Sequence, residues 1–440
     1  MTVNLEDCLH RLEGLEPIRR TGRVVEAIGL LLESDGPQVA VGETCRVEGL
    51  PGGASVLAEV VGFRGSRVLL MPLAELHGVA PGATVAACGG ALQVPVGDEL
   101  LGRVLDALGR PIDGLGPTRA RSMRSLRSGA PPPLERQRVL EPMATGVRAI
   151  DALLTCGKGQ RVGIFAGSGV GKSVLLGSIA RNCTADLNVI ALVGERGREV
   201  RDFLERDLGP EGLARSIVVT ATSDQPALLR IKSALLATTI AEHFRDQGRD
   251  VLLVMDSLTR VAMAQREIGL AVGEPPATKG YPPSVYALLP RLLERSGMAR
   301  AGSITALYTV LVEGDDMNEP VADMARSILD GHIVLSRRLA SEGHYPAIDV
   351  LGSVSRVMHE VVPPEHVRTA SRLRELLATY REAEDLVHIG AYARGSSARI
   401  DTALAKIDAI RAFLRQGATE NSEFSETQRA LAALVEGGAS

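Results

Sequence analysis

A chain of 440 residues with 45% hydrophobic side chains and a net charge of −4 holds more than one domain around sizeable cores, and disorder is not its default. The balance of 49 basic against 53 acidic residues argues against a generic nucleic-acid binder. Five scattered cysteines without a Cys-x-x-Cys pair read as reduced thiols of a cytosolic protein; no signal peptide is expected from the charged residues 1–20, and no membrane span from the Gly- and Pro-broken stretch 78–97.

Residues 1–20 place Leu5, Leu9 and Leu12 at helical spacing beside Arg11, Arg19 and Arg20. This reads as an amphipathic segment that either caps the next domain or docks on a partner or a membrane surface. Over residues 21–96 the pattern changes to short apolar runs cut by Gly and Pro, at 23–27, 57–62, 67–71 and 84–88. Such spacing predicts a small β-barrel. Single-stranded nucleic acid is bound by stacking on aromatics, and Phe63 is the only aromatic residue before Phe165. The barrel is therefore expected to be an oligomerisation collar.

Residues 97–138 read as a linker, Pro- and Arg-rich from 117 onward. From 139 to 362 strand and helix signals alternate, with strands expected at 162–165, 189–193, 217–220, 251–255, 304–312 and 332–335. This is the pattern of a parallel, helix-flanked sheet, in which ligands bind beyond the carboxyl ends of the strands. Residues 363–440 read as helical, with Leu373, Leu376, Leu377 and Tyr380 on one face and Leu404, Ile407, Ile410 and Leu414 on another.

The first of those strands runs into V-G-I-F-A-G-S-G-V-G-K-S, and a helix-competent stretch, 174–180, follows. Strand, glycine-rich loop, lysine, hydroxyl and helix in that order form a phosphate-binding loop. Ala166, Gly167, Ser168, Gly169, Val170, Gly171, Lys172 and Ser173 make up the loop, with Ala166 where the pattern has its first glycine. Backbone amides and the helix N-terminus hold phosphate oxygens, Lys172 reaches the β- and γ-phosphates, and the Ser173 hydroxyl is a Mg²⁺ ligand. ATP and Mg²⁺ are thus the expected substrate and cofactor.

Three further strand ends carry candidate groups. The run 251–255 ends in Asp256, a carboxylate suited to Mg²⁺. The run 189–193 leads into Gly194-Glu195-Arg196-Gly197-Arg198-Glu199. Glu195 is placed either to orient and deprotonate a water or to begin a surface helix laced by ion pairs. After 332–335 come His344-Tyr345-Pro346 and Ser353-Val354-Ser355-Arg356. Arg356 reads as a phosphate-stabilising arginine or a salt bridge, and Tyr345 as a functional or a packing residue. No H-E-x-x-H motif suggests zinc.

Together the segments A-G-S-G-V-G-K-S (166–173), G-E-R-G-R-E-V (194–200), D-S-L-T-R (256–260), G-E-P-P-A-T-K-G-Y-P-P-S-V (273–285), E-G-D-D-M-N-E-P (313–320), D-G-H-I-V-L-S-R-R (330–338) and H-Y-P-A-I-D-V-L-G-S-V-S-R (344–356) resemble the type III export ATPases. These are relatives of the rotary ATP synthase α and β subunits, and the likeness is strongest to the flagellar branch, with the injectisome branch a near neighbour. The resemblance implies a β-barrel, a RecA-like nucleotide domain and a C-terminal helical domain in a homohexameric ring. It implies Glu195 as general base, Asp256 as the metal-side carboxylate, and Arg196 and Arg260 as supports of the phosphate site. Arg356 would be a finger donated in trans, Tyr345 would stack on adenine with Phe424 as a candidate opposite wall, and residues 280–285 would face a central channel. It also implies central-stalk and stator partners, chaperone–substrate complexes and peripheral contact with an inner-membrane export gate, with no nucleic acid. A transcription-termination helicase shares barrel and RecA-like domain, but requires an aromatic, basic RNA surface that this N-domain lacks.

One expectation needs only the chain itself. Glu195 and Arg356 occur in the same polypeptide, so a ring of identical copies would carry a complete site at every interface.

Overall fold

The protein, a computed structural model, is described over residues 19–436 apart from 313 and 315. The amphipathic segment expected over residues 1–20 lies outside the described residues but for its last two.

Six antiparallel strands open the fold: β1 (Thr21–Ile28), β2 (Leu31–Asp35), β3 (Thr44–Glu48), β4 (Val56–Arg64), β5 (Arg67–Pro72) and β6 (Thr84–Ala87). They close as β1-β2-β5-β4-β3-β6, with β6 returning to β1. Closure leaves no free edge. Val24, Leu32, Cys45, Val47, Ala58, Val60, Val68, Leu70 and Val85 alternate inward to fill the barrel. Phe63 points out and is half exposed.

The segment expected as a linker carries structure. β7 (Gln93–Val96) pairs with β9 (Ser122–Ser125), and between them β8 (Val104–Leu105) joins the edge of the central sheet. β10 (Pro142–Met143) and β11 (Cys156–Gly157) form a small ribbon ahead of the phosphate loop.

The central sheet adds β12 (Arg161–Ala166), β13 (Leu187–Val193), β14 (Ser216–Ala221), β15 (Asp250–Asp256), β16 (Gly297–Met298), β17 (Ser303–Leu311), β18 (Gly331–Leu335) and β19 (Val354–Ser355). Its order is β19-β18-β12-β17-β15-β13-β14-β8, parallel from β18 to β8, with β16 antiparallel to β17 and β19 to β18. Helices cover both faces, so the central strands are buried at nearly every position and mostly apolar, rather than alternating. In β13, Ile190 and Leu192 pack with Leu176 and Ile179 of the helix Lys172–Asn182, whereas Val189, Ala191 and Val193 pack with Leu236 and Ile240 of the helix Ala227–Arg245.

Three helices, Pro364–His388, Ala398–Leu414 and Phe424–Glu436, complete the chain. Leu373, Leu376 and Tyr380 meet Ile407, Ile410, Leu414 and Leu431 in the same core that holds the phosphate-loop helix. The barrel is anchored to the nucleotide domain by Leu31, Met71 and Leu73 against Ala227, Leu228, Ile231 and Ile268. Beside that contact Lys232 forms a nearly buried ion pair with Glu59 of β4.

Candidate active site

The parallel sheet sends the carboxyl ends of β12, β13, β15 and β17 to one edge. β12 ends at Ala166, which is buried and still paired with Leu311 on one side and Leu335 on the other. The position where the loop pattern has a glycine is therefore extended strand, and a methyl group is tolerated. The turn begins one residue later. A Cβ on Gly167 would stand 2.7 Å from the Arg337 guanidinium group, which would have to shift to admit it. Gly169 and Gly171 have φ of 77° and 84°, the left-handed region that glycine enters without strain. Val170 is buried in the core and pins the loop directly after exposed Ser168 and Gly169. The helix Lys172–Asn182 starts with no side chain capping it, leaving its first amides and dipole to an anion. Ser173, part-buried, is the second residue of that helix.

Lys172 projects across the edge. Its ammonium hydrogen-bonds to Asp256 at the end of β15 and lies 3.7 Å from Glu195 Oε1. Thr309 of β17 donates its hydroxyl to Asp256 Oδ1 at 2.7 Å, a contact the sequence did not mark because Thr309 sits within an apolar strand. Glu195 follows β13 directly and turns inward. Burial first, then the Asp256 charge, push its carboxyl up to about 7; Lys172 opposes the shift, and a hydrogen bond shared with Glu199 adds to it. The same hydrogen bond holds Glu199 below its ordinary range, so the proton of the pair resides on Glu195.

The 195–199 segment faces two ways. Glu195 enters the site, while Arg196, its side chain 82% exposed, pairs with Glu199 at 3.7 Å along the helix Gly197–Asp202. Arg260 lies in the first turn of the helix Leu258–Val272, which Ser257 caps. Its aliphatic stem packs on Gly194, where a Cβ would be 3.0 Å away, and its buried Nε finds no hydrogen-bond partner among the described residues. An Nε–H desolvated without an acceptor is a donor available to an anion.

An apolar cleft opens on the other side of the loop, lined by Val147, Gly171, Val174, Leu175, Tyr345 and Pro346. The Tyr345 ring is 45% exposed and lies 3.3 Å from where a Gly171 Cβ would stand. The opposite wall is Gln416, Gly417 and Ala418, held by Gln416 N–H donating to the Tyr345 carbonyl at 2.9 Å. Phe424, the aromatic candidate for that wall, instead packs against His366 with ring centroids 6.2 Å apart. No aromatic side chain lies on that wall.

Arg356 is not brought to its own loop. Ser355 pairs with Gly331, one residue before the His332–Gly163 pair, so Arg356 is level with the amino end of β12. Five residues of strand separate Arg161, at that level, from Ala166, about 16 Å at strand rise. The exposed guanidinium donates to the Arg326 carbonyl at 3.1 Å.

Comparisons with known proteins match this layout segment by segment. Residues 146–355 match the ATP synthase alpha/beta family, nucleotide-binding domain, and residues 24–89 the β-barrel domain of that family. Residues 362–433 match the T3SS EscN ATPase C-terminal domain. The chain is 56% identical over 435 residues, 99% of each chain, to the flagellum-specific ATP synthase of Bacillus subtilis. To the type 3 secretion system ATPase of Xanthomonas euvesicatoria it is 52% identical, again over 99% of each. The solved structure of the assembled ATPase EscN of the enteropathogenic E. coli type III secretion system superposes with a TM-score of 0.89 at 47% identity, covering 94% of this chain and all of that one.

Proposed function

Because this chain belongs to the ATP synthase alpha/beta family, in the branch of flagellum-specific ATP synthases and type 3 secretion ATPases, we propose that it is an ATP hydrolase working as a homohexameric ring to energise flagellar protein export. One observation carries the reading: Lys172, Glu195 and Asp256, distant in sequence, meet at the phosphate loop with Glu195 poised near neutrality.

Triphosphate lies along the amides of 167–173, with the purine on Tyr345 and the Gln416–Ala418 wall. Glu195 accepts the proton of the attacking water as the water oxygen bonds to the γ-phosphorus and the bond to the β,γ-bridging oxygen breaks. Lys172 and Arg260 spread the developing charge, and Arg196 supports the same region from the surface. The Ser173 hydroxyl and the Asp256 carboxylate are hard oxygen donors that would hold Mg²⁺. The ion would supply neutralisation of the phosphate charge. Arg356 faces away from its own loop and serves the site of the next copy.

EscN has been solved assembled and in complex with its central stalk EscO. By likeness we assign this chain a central-stalk partner, together with stator and chaperone–substrate complexes, in the cytoplasm against the export gate. No helix among the described residues is long and apolar enough to cross a membrane. Glu195→Gln tests the reading: phosphate release should fall by about two orders of magnitude while nucleotide affinity stays near wild type. Turnover within a few-fold of wild type would remove Glu195 from the chemistry.

A further inference from the structure

Arg148 opens the helix Arg148–Leu153, directly after Val147 of the apolar cleft. A cation at the start of a helix opposes its dipole, so that helix gains nothing from the charge. The guanidinium reaches across to the C-terminal helices instead. Its Nε donates to the Phe413 carbonyl at 3.0 Å and one Nη to the Arg415 carbonyl, in the last turn and at the cap of the helix Ala398–Leu414. The final carbonyls of a helix lack partners within it, and a cation is favourable there. The other Nη pairs with the Glu420 carboxylate.

Between Arg415 and Glu420 lies the wall opposite Tyr345, so one guanidinium grips both ends of it. The gripped carboxylate also accepts the Gly417 N–H on its Oε2 at 3.0 Å. Gln416 ties the same wall to the same turn. Its Oε1 accepts the Arg148 backbone N–H at 2.8 Å, and its Nε2 donates to the Gly146 carbonyl at 2.7 Å and the Glu420 carbonyl at 2.8 Å.

We infer that Arg148 is a positioning residue for the purine: it holds the 415–420 loop against the nucleotide domain, and so sets the width of the cleft between that loop and Tyr345. It acts through the wall and touches no part of the nucleotide. Its effect falls on the base and leaves the phosphates to the loop at 167–173. An arginine that served folding alone would change melting and would weaken every ligand alike. The inference rests on the purine lying in this cleft, as proposed above.

The test is titration calorimetry on the full chain with Mg²⁺, comparing ADP with inorganic tripolyphosphate, which has no base. Arg148→Ala should weaken ADP about tenfold and leave tripolyphosphate within about twofold of wild type. The KM for ATP should rise by a similar factor, with a much smaller change in kcat. Equal weakening of both ligands, or unchanged ADP affinity, overturns the inference. Tyr345→Ala separates it from the reading it rests on. If Tyr345→Ala weakens ADP and Arg148→Ala does not, only the positioning role falls. If Tyr345→Ala leaves ADP unchanged, the purine does not lie in this cleft and the inference falls with that placement. Should Arg148→Ala melt below wild type, Glu420→Ala replaces it, since it releases the loop and keeps Arg148 on the helix end. The same selective loss of ADP is expected, and any other pattern overturns the proposal.

Discussion

The ammonium of Lys172 lies 3.7 Å from the carboxyl of Glu195 while hydrogen-bonded to Asp256, so one cation is shared by two carboxylates. That imbalance, added to burial, holds the Glu195 proton to about pH 7 instead of its ordinary 4.5. As a base Glu195 works only when ionised. The acid limb of kcat/KM should fall about tenfold per pH unit below neutrality and level off above it. A profile flat from pH 6 to 8 would contradict the assignment.

The same shift has a stability consequence of definite sign. Between pH 4.5 and about 7 the folded chain holds a proton on Glu195 that the unfolded chain releases. Stability from this group is therefore greatest at low pH and declines as pH rises through that window. Glu195→Gln should raise the melting temperature of the nucleotide-free chain at pH 8 and leave it nearly unchanged at pH 5.

Glu199 adds to the upward shift of Glu195 by hydrogen bonding to it. Glu199→Ala should move the acid limb to lower pH while retaining hydrolysis, read from the pH profile of kcat/KM. A limb moving the other way would mean that the pair does not share its proton as described.

Thr309 fixes Asp256 through a 2.7 Å hydrogen bond. Thr309→Val keeps the shape and removes the donor. Turnover should drop about tenfold and the Mg²⁺ concentration for half-activity should rise, because one hydrogen bond to a charged group contributes about 1.5–3 kcal/mol. An unaltered Mg²⁺ requirement would show that Asp256 does not need this support.

Lys172→Ala and Arg356→Ala chains, each inactive, should recover activity when mixed and co-assembled. In a random equal mixture about a quarter of interfaces pair an intact loop with an intact finger. No recovery in confirmed mixed rings would count against donation across the interface.

Strand ends were the legible part of the site. Apolar runs fix where β12, β13 and β15 stop, and a parallel sheet carries those stops to one edge, so Lys172, Glu195 and Asp256 could be brought together from order alone. Thr309 was hidden because a buried strand tolerates threonine without showing a break in pattern. The wall opposite Tyr345 was illegible because Gln416, Gly417 and Ala418 include no aromatic side chain to mark it. β8 is two residues long and lies within a segment that reads as a linker, too short for any periodicity. Arg356 was recognisable as an arginine in a telling motif, but its distance from Lys172 depends on how β19 returns beside β18.

The edge position of β8 has a bearing on biosynthesis. Residues 104–105 can be seated only after 216–221 exist, and those must first find 187–193. A ribosome therefore releases the finished barrel well before the stretch behind it has anywhere to settle, and about a hundred residues must emerge in the meantime, at roughly 5–20 residues per second. During those seconds the nascent chain trails an unplaced tether whose closure waits on distant partners. Truncated products ending before residue 216 should consequently yield a protease-resistant N-terminal core with 97–138 cleavable, whereas the full chain protects it.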